Sequence, residues 1–288
     1  MAEKKIYDSI TELVGSTPLV RLHRYEESEK LEANILGKFE YFNPSGSVKD
    51  RAALNIIEEA EKRGDIKPGM TLIDYTSGNT GIGEATFANA KGYKFVAVIQ
   101  PQVSVERSQI LKALGAELLQ VTDVPGFAEM LKTGLSLAGL YKVMNDFAKS
   151  KGWYYLNQCG DRANSEAHIK GTGPEIWEAT GGKVDYVVQL VGTGGTLSGL
   201  ADFFRKKNLT IRCEGLWRSI NPAGRDMTHP CTINTSCILY ARIRDSVSIL
   251  SMTSTASGSG RFPSTVRWWK VRPMPLSVYI LNVRPKEE

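Results

Sequence analysis

Up to about residue 215 the chain alternates short apolar runs of β character with longer stretches whose apolar positions recur at helical spacing. The runs at 35–41, 71–75, 95–99, 117–121, 153–156, 186–191 and 210–214 predict strands. Those at 49–63, 81–90, 105–114, 127–151, 165–179 and 197–206 predict helices. In the first helix Ala53, Ile56, Ile57 and Ala60 fall at i, i+3, i+4 and i+7 on one apolar face, and Gly64 is the expected stop. Strand and helix alternating in this way predict an α/β fold of mainly parallel sheets covered by helices. Ligands of such sheets are expected at loops beyond the carboxyl ends of strands. After about residue 215 the alternation fades, Ser, Thr and Arg crowd in, and 251–259 has no amphipathic face of either period.

Composition adds bounds. At 288 residues, 42% hydrophobic and 23% charged, the chain is expected to be soluble, with a large core and two lobes. No uninterrupted apolar stretch approaches the ~20 residues of a membrane helix. The polar start at 1–8 lacks the apolar core of a signal peptide, so the expectation is a cytoplasmic protein with no membrane partner. The net charge of +5 is uneven: from residue 216 onward stand 10 Lys and Arg against 4 Asp and Glu, leaving 26 against 27 before it. The basicity belongs to the tail, and the near-neutral body argues against a nucleic-acid partner. The cysteines, Cys159, Cys213, Cys231 and Cys237, have no Cys-x-x-Cys spacing and the 3 histidines lie far apart, so neither a metal site nor a disulfide framework is expected.

Three segments carry candidate chemistry. Asn43-Pro44-Ser45-Gly46-Ser47-Val48-Lys49 leads into the first helix and places Lys49 at its N-terminal end. There the positive end of the helix dipole disfavours an ammonium and favours the free amine that attacks carbonyls; the alternative is a solvated surface lysine. Thr76-Ser77-Gly78-Asn79-Thr80-Gly81 sits between a strand and a helix. It suits an anion cradle of backbone N–H groups and hydroxyls, and equally an ordinary turn with an N-cap. Gly192-Thr193-Gly194-Gly195-Thr196 opens another helix and suits a phosphate group or a tight structural turn. It is neither a dinucleotide fingerprint, since Leu197 holds the third glycine position, nor a Walker A loop.

Taken in order, these segments resemble the β-family (fold type II) of pyridoxal-phosphate enzymes, and within it cysteine synthase and cystathionine β-synthase. The likeness runs from about residue 7 to about 214 and includes Gly15-Ser16-Thr17-Pro18-Leu19-Val20, Pro44 to Arg51, Thr76 to Gly83, Leu114-Gly115-Ala116-Glu117, Leu156-Asn157-Gln158, Gly173-Pro174-Glu175-Ile176-Trp177 and Gly192 to Gly199. The resemblance implies pyridoxal phosphate as cofactor, with Lys49 as the Schiff-base lysine and Asn79 bonding the ring oxygen. Gly192, Thr193, Gly194, Gly195 and Thr196 would hold its phosphate. Thr76, Ser77, Thr80 and Gln158 would hold a substrate carboxylate; from the residues alone Gln158 is a polar residue closing a strand end. The implied activity is β-replacement, making L-cysteine from O-acetylserine and sulfide or another thiol, in a homodimer. Cystathionine β-synthase activity on serine and homocysteine is the alternative, a serine or threonine dehydratase a further one, and a non-catalytic remnant of the fold the alternative of another class. The implied lobes are 46–155, carrying Lys49 and the carboxylate loop, and 1–45 with 156–215, carrying the phosphate loop.

The chain departs from that pattern at Gln100, at Glu84 where leucine or alanine is usual, and at Cys159-Gly160-Asp161-Arg162 where an aromatic-led stretch is usual. The larger departure is 216–288, a divergent basic tail for which a shifted reading frame or disorder are the two readings. The serine expected at the pyridine nitrogen has only faint counterparts there, Ser257-Gly258 and Ser259-Gly260.

Overall fold

The computed structural model describes residues 6–76, 78–134, 136–208, 210–216, 247–248, 270–271 and 278–282. In chain order its elements are β1 (Leu19–Arg21), α1 (His23–Ser28), β2 (Asn34–Lys38), α2 (Lys49–Arg63), β3 (Thr71–Tyr75), α3 (Asn79–Ala90), β4 (Lys94–Ile99), α4 (Val105–Ala113), β5 (Glu117–Gln120), α5 (Phe127–Thr133), α6 (Leu137–Ser150), β6 (Tyr154–Tyr155), α7 (Ala163–Ala167), α8 (Gly173–Ala179), β7 (Tyr186–Leu190), α9 (Gly195–Lys207), β8 (Arg212–Leu216), β9 (Val247–Ser248), β10 (Lys270–Val271) and β11 (Val278–Asn282). The chain is α/β and divides into two compact units.

The first unit comprises residues up to 17 and 40–171. Its sheet has the order β5-β4-β3-β6, and every pairing is parallel. Such a sheet buries both faces, and β4 shows how. Phe95, Ala97 and Ile99 enter an apolar cluster with Ile56 and Ile57 of α2 and Phe87 and Ala88 of α3. Val96 and Val98, on the opposite face, pack with Phe127 of α5 and Met144 of α6. Helix α2 ends as its sequence predicts, with Gly64 in the left-handed region at φ 77°.

The boundaries of this unit differ from the expected lobes. Residues 156–171 stay with Lys49's sheet, because β6 pairs with β3 and Asn55 Nδ2 of α2 donates to the Ala163 carbonyl at 2.6 Å. The stretch before residue 18 joins through a buried network. Arg51 Nε donates to Glu40 Oε2 at 2.7 Å, and Thr17 Oγ1 and Arg51 Nη2 both donate to Glu40 Oε1, at 2.6 and 3.0 Å. Asn43 ties in too, its Nδ2 donating to Glu40 Oε2 and its Oδ1 accepting from the Gly15 N–H. Motif residues Gly15, Thr17, Asn43 and Arg51 therefore hold structure together.

The second unit comprises 18–39 and the described residues from 172 onward. Its sheet order is β1-β2-β11-β7-β8. Strands β7 and β8 are parallel, and β2 runs in the same direction, but β11 lies between β2 and β7 antiparallel to both. Strand β1 is antiparallel to β2 at the edge. This sheet is thus mixed, and β11 belongs to the stretch where no element was expected; β9 and β10 form a separate antiparallel pair. Ile176, Val187, Leu200 and Phe204 centre its apolar cluster. Lys38, almost fully buried, pairs with Glu175 of α8. Among the described residues no helix is long and apolar enough to cross a membrane.

Candidate functional site

In the first unit the site is assembled at the carboxyl ends of β3 and its parallel neighbour β6, against the N-terminal end of α2. The turn before α2 is pinned by Asp50, which accepts from the Ser45 N–H at 2.6 Å and from the Ser45 hydroxyl. Ser47 Oγ accepts from the Lys49 N–H at 3.2 Å. These bonds explain the serines of the segment and place Lys49 as the first residue of α2. Burial lowers the Lys49 pKa below lysine's ordinary value, with the nearby Cys159 acting in the opposite direction as the lesser cause. The direction agrees with the sequence expectation, but the leading cause is desolvation of the ammonium. Among the described residues no carboxylate pairs with Lys49, in contrast to Lys38.

From β3 the chain passes through Thr76 into α3. Thr76 is buried and its Oγ1 accepts from the Gly81 N–H at 2.9 Å, which satisfies one of the open donors of the helix start. A Cβ on Gly81 would stand 2.6 Å from Thr76 Cγ2, and one on Gly83 3.1 Å from Ala53 Cβ and 3.4 Å from the Lys49 carbonyl. These two glycines serve packing, and the second seats α3 against the Lys49 end of α2. A Cβ on Gly78, by contrast, would meet nothing within 4 Å. Asn79 is exposed as the first residue of α3, and Thr80 behind it is buried. Ser77 lies outside the described residues, as do Ser257 and Ser259.

Gln158 follows β6. Asn157, before it, adopts φ 54°, a left-handed conformation that asparagine tolerates better than most side chains. The Gln158 N–H donates to Asp74 Oδ2 at 3.0 Å, its Nε2 donates to the Tyr75 carbonyl at 3.3 Å, and its carbonyl accepts from Asn164 Nδ2 at 2.7 Å. One of the two side-chain amide protons thus closes the strand end. Cys159, next in sequence, is exposed and close enough to Lys49 for their charges to interact.

Asp74 was not singled out in the sequence. Its signal was a carboxylate at an inward position of an otherwise buried strand, on the same face as Leu72 and opposite Ile73. Glu84 was noted only as a departure from pattern, yet it is wholly buried on the stripe of α3 that also carries Phe87 and Ala88. Burial raises the pKa of both carboxyls, and the Asp74 charge pushes Glu84 higher still.

In the second unit, β7 leads through Gly192-Thr193-Gly194 into α9. Gly194 is the N-cap with φ 85°, a conformation that favours glycine, and Gly192 is exposed with nothing within 4 Å of where a Cβ would lie. Thr193 Oγ1 accepts a long bond of 3.4 Å from the Gly195 N–H, and Gly195 and Thr196 form the buried first turn. The first N–H groups of a 13-residue helix lack intrahelical partners and sit at its positive end. This loop has the donor set of a phosphate site.

The family described as pyridoxal-phosphate dependent enzymes matches residues 10–247, extending past residue 214 where the motif likeness stops. Cysteine synthase B of Pseudomonas aeruginosa is 42% identical over 212 residues, covering 73% of this chain and 66% of that protein. Cystathionine beta-synthase of Rattus norvegicus is 36% identical over 230 residues, 80% of this chain and 39% of that protein. The crystal structure of cysteine synthase from Entamoeba histolytica aligns with a TM-score of 0.63 at 38% identity, covering 75% of this chain and 62% of that one. The chain thus spans less than two thirds of the length of each. The residues fit the group the family binds: a desolvated amine with lowered pKa suits an aldehyde, and glycine-exposed amides at a helix start suit a phosphate.

Proposed function

The chain belongs to the family of pyridoxal-phosphate dependent enzymes, and on that premise we propose that it catalyses β-replacement on a small amino acid, forming L-cysteine from O-acetylserine and sulfide. The observation that carries this reading is Lys49, desolvated and unpaired with any described carboxylate at the start of α2 beside α3. Pyridoxal phosphate, when bound, supplies an electron-withdrawing ring that stabilises negative charge at the substrate Cα. Lys49 would hold it covalently through Nζ. Asn79 would bond its ring oxygen, and the loop from Gly192 to Thr196 would take its phosphate.

Thr76, Ser77, Thr80 and Gln158 orient the substrate by its carboxylate, where several convergent donors are needed. With the cofactor bound to the substrate, Lys49 Nζ would be free to take the Cα proton; burial favours the unprotonated amine that this requires. The Cβ–O bond breaks with loss of acetate, the sulfur nucleophile forms the Cβ–S bond, and Lys49 returns the proton to Cα. The same residues serve serine and homocysteine, a second reading supported by the rat cystathionine beta-synthase match over 80% of this chain. A homodimer is part of the proposal.

The test is to add pyridoxal phosphate to the purified protein and follow visible absorbance, then repeat with Lys49→Ala. A band that depends on Lys49 is expected, and its absence sinks the proposal. Cysteine formation from O-acetylserine and sulfide then supports the first reading, and cystathionine formation from serine and homocysteine the second.

A further inference from the structure

The proposed reaction leaves two buried carboxyls unused. Asp74 is 1% exposed and Glu84 0%. They lie within hydrogen-bonding reach of each other. Yet Asp74 Oδ1 and both Glu84 oxygens have no donor among the described residues. Two ionised carboxylates have no proton to share, and burying both charges side by side is strongly unfavourable. One proton between them removes one of the two charges and accounts for two of these three oxygens, because an O–H on one group gives an oxygen of the other a donor.

The surroundings decide which group keeps its charge. Asp74 receives the Gln158 N–H at 3.0 Å and a backbone bond from Tyr75, both of which favour the anion. Glu84 receives nothing comparable, and its apolar stripe favours the neutral acid. We propose that Asp74 and Glu84 hold one proton between them, Glu84 as the neutral donor and Asp74 as the anion that fixes Gln158, which makes Glu84 a positioning residue for carboxylate binding. The carboxylate part rests on the function proposed above. Other titratable groups facing the pair are Tyr155 of β6 and Cys159, and Lys49 of α2 faces Cys159.

Infrared difference spectroscopy of the wild type against Glu84→Gln tests the shared proton without cofactor or substrate. At neutral pH a protonated-carboxyl band, shifted in heavy water and absent from Glu84→Gln, is expected; no such band overturns the proposal. Hydrogen exchange at the Gln158 N–H tests positioning. It should be slow in wild type and in Glu84→Gln, whose amide still donates to Asp74, and about tenfold faster in Glu84→Leu, the equivalent of one weakened charged hydrogen bond. Equal exchange in all three overturns the positioning role. In cofactor-loaded protein, O-acetylserine affinity should fall in the same order. If no Lys49-dependent absorbance forms, the β-replacement reading fails, while the infrared and exchange outcomes still decide the proton and Gln158.

Discussion

The two strand-to-helix junctions, β3 into α3 and β7 into α9, have one topology and two kinds of construction. The first is wired by side chains: Thr76 holds the Gly81 N–H, Gly81 and Gly83 are wedged against neighbours, and two carboxyls are sealed beside the turn. The second is shaped by backbone: Gly194 turns the chain through a left-handed residue, Gly192 is open, and the Thr193 bond is long. An anion can be met by placed side chains or by bare amides. Under the proposed roles, the first arrangement would tie binding to packing and to protonation, and the second would leave binding separable from stability.

That contrast can be broken from its strongest side. Glu84 has a folded-state pKa raised above the ordinary carboxylate value, so between the two values the folded chain holds more protons than the unfolded one. Its stabilising contribution is therefore complete at acid pH and lost as pH rises through the raised value. Urea midpoints measured across pH should fall over that window in wild type and lose this component in Glu84→Gln; an unchanged slope in the variant contradicts the sealed pair. Next, Gly81→Ala places a methyl carbon 2.6 Å from Thr76 Cγ2. Overpacking of this kind should cost about 2 kcal/mol in chemical denaturation and weaken amino-acid binding together.

At the second junction Gly194→Ala forces a side chain to φ 85° and should cost about 1 kcal/mol. Gly192→Ala meets no atom, so stability should change by less than about 0.5 kcal/mol. Its affinity for pyridoxal phosphate, measured by absorbance titration, should nonetheless fall, while that for pyridoxal without the phosphate stays level. Equal losses for the two ligands would remove the phosphate assignment and with it the distinction between the junctions.

What the sequence disclosed follows how local each determinant is. Helix α2 and strand β3 have the predicted bounds because a one-face stripe, a left-handed Gly64 and a compact apolar run act within a few residues. Periodicity predicts one helix over 127–151, but the stretch divides where Gly134 has φ 97° and Ser136 Oγ caps the next helix by accepting from the Gly139 N–H. That glycine and serine were legible and outweighed by periodicity. The stretch 165–179 begins at Ala163 and passes through a π-helical turn at His168–Thr172 before α8, where Pro174 lacks an N–H to continue the ladder. In the first unit, Thr76 follows β3, Gln158 follows β6 and Lys49 opens α2. The Asp74–Glu84 pair was not foreseen, because a strand carboxylate and a helix carboxylate ten residues apart signal nothing until the sheet brings their faces together.

Strand β11 has a consequence for the order in which the molecule is made. Among the described residues, the last strand of the first unit's sheet is complete once residue 155 has been synthesised. In the second, β2 and β7 have no direct pairing and are bridged by residues 278–282. A growing chain therefore carries one finished sheet while the other presents two unpaired edges, each a template for a foreign strand. The interval between residues 190 and 282 is where a nascent chain of this sequence most needs protection from its neighbours.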